Sequence, residues 1–290
     1  MDPDDEHPSR PLVRTPISPA LATAVAELAA AGVASPRVDA ELLAAHVLQI
    51  PRGRLLLVDS MREDELRRFR VLVAERARRI PLQHLLGTAA FRHLELSVGD
   101  GVFVPRPETE LLAGWGIAHA RRGDIAVDLC SGTGAIALSL ADEIKDIDVY
   151  AVERSPVALS FLRRNAAAFD IHVVEGDVTD PGLLPELTGR VAVVLCNPPY
   201  VPDGTAVPPE VADHDPAEAV FGGADGLDVI RPVIALAARL LRPGGYIGIE
   251  HDDVHGEAVP ALLRADGRFT EVTAHDDLTG RPRFATGRRT

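Results

Sequence analysis

Cysteine is scarce in this chain. Cys130 and Cys196 are its only two, and two in so long a sequence make no disulfide framework. Both fall where buried strands are expected to end, so they read as reduced thiols. Long apolar runs are missing as well. None reaches the roughly 20 residues that a membrane-spanning helix needs, so no membrane association is expected. An excess of positive charge is also absent: 30 Lys and Arg stand against 43 Asp and Glu, a net charge of -13. Duplex-DNA enzymes carry a basic stripe that neutralises phosphates, so the acidic balance argues against a stable nucleic-acid partner. The ten histidines are scattered without a two-His helical spacing, and no metal site is expected. The opening MDPDDEHPSRP has neither the basic start nor the apolar stretch of a secretory signal, which points to a cytoplasmic protein. No internal repeat or low-complexity segment is visible.

What is present suits a folded protein. Hydrophobic residues make up 46% and charged residues 25% of the 290 positions, an ordinary globular balance with enough apolar material for a sizeable core. Residues 1–16 are polar, proline-rich and aperiodic, and read as a disordered tail. Residues 17–84 read as a small helical bundle, or a plain helical cap. Leu21, Val25, Leu28 and Ala29 recur at helical spacing, and Ser35-Pro36 opens a helix carrying Ala40, Leu43, Ala44 and Val47 on one face. Residues 63–79 make a third helix. Its arginines (Arg67, Arg68, Arg70, Arg76, Arg78 and Arg79) read as a solvated face that could touch a partner protein. Residues 85–106 alternate apolar and polar positions and read as a β-hairpin linker, with its turn at Gly99-Asp100-Gly101.

Residues 107–290 read as an α/β domain. Short apolar strands at 125–129, 149–152, 172–174, 191–196 and 246–249 alternate with helices at 135–141, 156–168 and 228–241. The last helix is expected to stop at Pro243-Gly244-Gly245. Such alternation implies a parallel sheet covered on both faces. Two further strands are expected at 269–274 and 283–286.

Two constellations carry chemistry. The first is Asp128-Leu-Cys130-Ser131-Gly132-Thr133-Gly134, which leaves a strand and opens a helix. Glycines there let the backbone turn sharply and approach a ligand. Glu153 ends the next strand, placed to accept hydrogen bonds from both hydroxyls of a ribose. Together they point to a nucleoside cofactor and leave nicotinamide cofactors and S-adenosylmethionine both open. The second is Asn197-Pro198-Pro199-Tyr200, directly after the fourth strand, beside the switch point where ligands bind in such sheets. An amide nitrogen is a poor nucleophile, because its lone pair is delocalised. The Asn197 side-chain oxygen and the Pro198 carbonyl can hold its two N–H groups and aim that lone pair at an electrophile. The prolines stiffen the loop, and Tyr200 offers a flat face to the planar amide.

Asn197-Pro-Pro-Tyr200 after a strand resembles the amino-methyltransferases, which act on adenine, cytosine or glutamine nitrogens. Further strings are similar to the release-factor glutamine methyltransferases: Pro81-Leu-Gln-His-Leu-Leu-Gly87 with Phe91, Val104-Pro-Arg-Pro-Glu-Thr-Glu110, Phe221-Gly-Gly-Ala-Asp-Gly-Leu227, Arg242-Pro-Gly-Gly245, Glu250-His251 and Asp277-Leu-Thr-Gly-Arg281. The resemblance spans residues 17–290. It implies a five-helix N-terminal domain, a hairpin linker and a Rossmann-type class I methyltransferase domain, acting as a monomer. It implies that S-adenosyl-L-methionine methylates the Gly-Gly-Gln glutamine of class 1 peptide-chain release factors and leaves S-adenosyl-L-homocysteine. Carried over by position, Cys130 to Gly134 border the methionine part of the cofactor, Glu153 holds the ribose, and Asp177 and Val178 lie by the adenine. Asn197 to Tyr200 take the glutamine amide, and Phe91 lines that pocket. Three positions depart from the family pattern: Cys130 where glycine is usual, Glu153 where Asp is frequent, and Val178 where some members have an aromatic ring. Two rival readings remain: a DNA or RNA adenine-N6 methyltransferase, disfavoured by the acidic balance and the linker string, and a cofactor-binding module without catalysis, disfavoured by the intact loop.

Overall fold

The computed structural model describes residues 14–290. The expected tail therefore lies almost wholly outside the described residues. Its last three positions do not: Arg14–Pro16 form a short strand antiparallel to Ser60–Arg62, a pairing that polar composition alone does not reveal. The described residues divide into two compact units, with the boundary between Leu86 and Gly87.

The first unit has five helical segments among the described residues: Ile17–Ala30, Pro36–Leu48, the tighter Arg52–Leu57, Glu63–Ala77 and Leu82–Leu86. They close over Leu28, Leu43, Met61 and Phe69, all fully buried. The arginine face is only partly solvated. Arg67, Arg68, Arg70 and Arg78 are exposed, whereas Arg76 is buried and its Nε donates to Asp39 at 2.8 Å. Arg79 donates to the Gly32 carbonyl at 2.8 Å. These two arginines tie helices together.

The second unit begins with a hairpin, Thr88–Phe91 against Leu94–Ser97. Its turn is at Arg92-His93 and not at Gly99-Asp100-Gly101. Arg92 takes a left-handed φ of 51°, unusual for a long side chain, because both its ends are held. Its backbone N–H donates to Glu110 at 3.0 Å, and its guanidinium grips Glu143 at 2.5 and 2.8 Å.

A seven-stranded sheet follows. Its strands are β1 (Ile125–Leu129), β2 (Asp148–Glu153), β3 (His172–Glu175), β4 (Val191–Cys196), β5 (Leu241–Glu250), β6 (Phe269–Asp276) and β7 (Pro282–Arg289). The order is β3-β2-β1-β4-β5-β7-β6. Strands β1 to β5 run parallel, and β7 is antiparallel to its neighbours. The helices are α1 (Thr109–His119), α2 (Ala135–Glu143), α3 (Pro156–Asn165), α4 (Pro209–His214), α5 (Ala217–Val220), α6 (Ile230–Leu240) and α7 (Ala258–Asp266). Alternate residues of β4 serve the two faces. Val193 and Leu195 join Leu112 and Leu138 on one side, and Val194 and Cys196 join Ile234 and Leu263 on the other. A strand buried on both faces has no polar position to alternate, so it reads as wholly apolar.

Helix α6 stops at Leu240, short of Pro243. Pro243-Gly244-Gly245 lies within β5, where the pairing with β4 breaks register between Val191 and Val193. Proline has no N–H to give a ladder, and a register break is where a sheet accepts it.

Candidate active site

The strand order reverses between β1 and β4, so their following loops part and leave a crevice. A cavity of about 360 Å³ opens there, beyond the carboxyl ends of β1, β2 and β4, within the size range of small-molecule sites.

The loop after β1 forms the floor. Cys130, Ser131, Gly132 and Thr133 line the cavity. Cys130 sits at φ 59°, in the left-handed region that favours glycine. Gly134 does not line the cavity. It precedes α2 at φ 91°, a left-handed conformation that favours glycine, and a Cβ there would also meet Leu162 Cδ1 at 2.6 Å. Asp128, at the end of β1, also faces the cavity. Its Oδ2 accepts the Ala137 N–H at 3.1 Å, and its buried Oδ1 has no partner among the described residues. Burial disfavours the charged form and pushes the carboxyl up to about 7.

The loops after β2 and β3 supply the far wall. Glu153 is buried beside the cavity, with Oε2 accepting the Gly132 N–H and Oε1 accepting those of Arg154 and Ser155, each at 2.8 Å. Asp177 and Val178 line the same end. The Thr179 backbone N–H, bonded to Asp177 at 2.8 Å, helps hold that carboxyl below its ordinary range.

The loop after β4 supplies the near wall, and Asn197, Pro198, Pro199 and Tyr200 all line the cavity. Asn197 Nδ2 donates to Thr109 Oγ1 at 3.1 Å, which leaves Oδ1 as the outward end of that amide. The Tyr200 hydroxyl donates to Glu250 Oε1 at 3.1 Å. Burial and the neighbouring Glu250 raise the Tyr200 phenol far above its ordinary range, so it stays protonated. The string beginning at Phe221 straps this loop in place: Gly222 donates to the Val201 carbonyl at 2.9 Å, and a Cβ on Gly222 would strike the Pro199 carbonyl oxygen at 2.6 Å.

Two expectations need correction: Gly134 does not line the cavity, and neither does Phe91, which is fully buried in the hairpin, packed with Leu96, Leu112 and Leu138. Cys196 is fully buried at the end of β4, as a buried strand end should be, beside half-buried Cys130. Further residues of the sequence motifs join the site, although the sequence alone assigns them no role. Thr109 and Asp128 line the cavity, and Glu250, at 1% exposure, receives the Tyr200 hydroxyl. Arg106 bonds Asp215 at 2.7 Å and so ties the segment before α1 to the α4–α5 stretch, whose Val207, Pro208 and Val211 form a further edge of the cavity. Among the described residues no group of three His, Cys, Asp or Glu could hold a metal ion, and no helix is long and apolar enough to cross a membrane.

Known proteins match most of this sequence. The family profile described as "PrmC N-terminal domain" matches residues 19–87, and "Methyltransferase small domain" matches residues 109–214. A release factor glutamine methyltransferase of Mycolicibacterium smegmatis is 56% identical, covering 95% of this chain and 98% of its own length. One of Mycobacterium tuberculosis is 47% identical, covering 93% and 90%. The solved T. thermophilus 16S rRNA N2 G1207 methyltransferase shares the fold at a TM-score of 0.50 and 22% identity, over 70% of this chain and 50% of its own. With two close relatives matched across nearly the whole sequence, the chain belongs to the release factor glutamine methyltransferase family.

Proposed function

We propose that this chain methylates the side-chain amide nitrogen, N5, of the glutamine in the Gly-Gly-Gln motif of class 1 peptide-chain release factors. The methyl donor is S-adenosyl-L-methionine and the product is S-adenosyl-L-homocysteine. Residues 107–290 then form the transferase domain, residues 85–106 the linker and residues 17–84 the helical domain. One observation carries the reading. Asn197 stands on the cavity wall with Nδ2 engaged by Thr109, so its free end is an acceptor, and an amide N–H of a substrate needs an acceptor.

The residues present fit the cofactor. Asp128 Oδ1 is a buried acceptor lacking a partner among the described residues, which the ammonium group of the cofactor's methionine part would satisfy. The Glu153 carboxylate has lone pairs beyond its three backbone bonds and lies at the end of β2, where it can accept ribose hydroxyls. Val152 and Val178 give an apolar wall for a base. Cys130 to Thr133 border the methionine end. S-adenosylmethionine supplies an activated methyl on sulfur; the remaining work belongs to the protein. Asn197 Oδ1 and the Pro198 carbonyl each accept one N–H of the glutamine amide. They hold its lone pair out of conjugation and in line with the methyl. Pro198 and Pro199 fix that geometry, and the Tyr200 ring covers the amide face. Positioning of this kind supplies much of the rate in a displacement reaction.

An exocyclic adenine amine would offer this loop the same two donors, so adenine-containing DNA is the informative comparison. The protein is incubated with S-adenosylmethionine carrying a labelled methyl, together with either a class 1 release factor or duplex DNA. Label is expected in the release factor. Label in the DNA alone would overturn the proposal.

A further inference from the structure

Between the catalytic loop and the string beginning at Phe221, residues 202–220 make an excursion. Its two ends are fastened together. The Val201 N–H donates to the Val220 carbonyl at 3.0 Å, the Gly222 N–H to the Val201 carbonyl at 2.9 Å and the Asp203 N–H to the Gly223 carbonyl at 2.9 Å. The excursion is thus a loop closed at its neck, directly after Tyr200. It carries Pro202, Pro208, Pro209 and Pro216. Its two helices, α4 and α5, have six and four residues, too few to be stable by themselves. Yet Val207, Pro208, Val211 and Pro216 line the cavity. A wall with so little regular structure depends on outside support.

Asp215, in the joint between α4 and α5, supplies one such support. Its side chain is 1% exposed, and its Oδ2 accepts a hydrogen bond from Arg106 Nη2 at 2.7 Å. Burial raises the Asp215 carboxyl, and the charge of Arg106 is the largest influence opposing that rise. Arg106 precedes α1 and itself lines the cavity, with its guanidinium 4.9 Å from the centre of the Phe103 ring. One arginine therefore joins a ring on one side of the cavity to the excursion on the other. We propose that Arg106 and Asp215 are positioning residues for the release-factor substrate. Their ion pair holds the excursion at a fixed spacing from Phe103 and so shapes the apolar wall along which the target side chain reaches Asn197. Asp215 does not line the cavity, so it acts through position alone. The proposed partners of the cofactor, Asp128, Glu153 and Asp177, stand at the ends of β1, β2 and β3, away from these elements in the chain. The pair should therefore serve the substrate and leave the cofactor alone. An apolar wall meets the side chain equally before and during methyl transfer, and such uniform contact lowers KM without raising kcat. This inference deepens the methyltransferase reading and rests on it for the identity of the substrate.

The test compares wild type with Asp215→Asn, Arg106→Met, the double variant and Arg106→Lys. Either single loss strands a charged partner, whereas the double variant removes both charges, and thermal melts check that each variant folds. Hydrogen exchange read by mass spectrometry reports on residues 203–219 without any substrate. Exchange there should be about tenfold faster in both single variants and in the double, the scale on which contacting residues are coupled. Residues 191–196 should exchange as in wild type. KM for the release factor should rise about tenfold in the same three variants, with kcat and S-adenosylmethionine affinity little changed. The double variant should be no worse than either single one, because paired residues are not additive. Arg106→Lys keeps a cation and should recover part of both effects. Wild-type exchange at 203–219 in Asp215→Asn would overturn the inference. So would an unchanged KM, KM effects that multiply in the double variant, or an equal loss of cofactor affinity. Failure of wild type to methylate a release factor would overturn the functional reading alone, and the exchange comparison would still decide this one.

Discussion

Replacing Glu153 by alanine should have two separable effects, because this side chain faces both the cavity and the turn that builds it. Towards the turn, its two oxygens accept three backbone N–H groups, those of Gly132, Arg154 and Ser155, each at 2.8 Å. Towards the cavity, its remaining lone pairs are the proposed seat of the ribose hydroxyls. Hydrogen bonds to a charged group contribute about 1.5–3 kcal/mol, so losing the ribose contacts should weaken cofactor binding by roughly 10- to 150-fold. A buried N–H left without a partner costs about 1–3 kcal/mol. For a chain of this size each kcal/mol lowers the melting temperature by about 2–4 °C, so the free protein should melt several degrees earlier. Glutamine at 153 is instructive. Its NH2 must replace one carboxylate oxygen and face either the single Gly132 N–H or the Arg154 and Ser155 pair. The first choice is less costly, yet it still sets donor against donor, so Glu153→Gln should fall between wild type and alanine. Calorimetry of S-adenosylmethionine binding and thermal melts without cofactor measure the two effects apart. Unchanged affinity in Glu153→Ala would remove Glu153 from the cofactor site, and an unchanged melt would remove its role in holding the turn.

Further outcomes follow from the buried acids and the thiols. Burial raises the Asp128 and Glu250 carboxyls to about 7, so each binds its proton more tightly when folded than when unfolded. The stability this gives is complete below their ordinary values near 4 and is lost as pH rises towards 7; melts across that window should show a smaller loss in Glu250→Gln than in wild type, and identical curves would contradict the burial argument. A small thiol reagent should modify half-buried Cys130 and spare Cys196, whose thiol is raised by burial. Bound S-adenosylmethionine should slow that labelling, and equal rates with and without cofactor would take Cys130 out of the site. Cys130→Gly should stabilise the protein by about 1 kcal/mol through relief of a left-handed non-glycine residue, and a lower melting temperature would show that the thiol's contacts outweigh that strain.

Much of this architecture is legible in the sequence, for physical reasons. Residues 191–196 declare a doubly buried strand because no position in them can face water. Cys130 to Thr133 and Asn197 to Tyr200 are legible as cavity residues because a chain leaving a parallel strand at the switch point must turn beside the ligand crevice. What stays hidden depends on distant partners. The hairpin turn sits on Arg92 because Glu110 and Glu143 hold it, and no local pattern announces a left-handed arginine. Phe91 looks like a pocket residue by position in a string, but strand alternation sends it into the core. Gly134 looks like part of a cofactor loop, yet its left-handed backbone at the start of α2 dictates it. Helices α4 and α5 have too few turns, and too many prolines around them, to show any periodicity. Thr109 meets Asn197 across 88 positions of sequence, so its part in the site emerges only when the sheet brings α1 beside the end of β4.

The most direct measurement of the central claim is tandem mass spectrometry of a class 1 release factor after incubation with the protein and S-adenosylmethionine. A single added methyl is expected on the side-chain nitrogen of the Gly-Gly-Gln glutamine, strongly diminished with Asn197→Ala and better retained with Asn197→Asp, which keeps an acceptor in place. A methyl on another residue, or full modification by Asn197→Ala, would contradict the account.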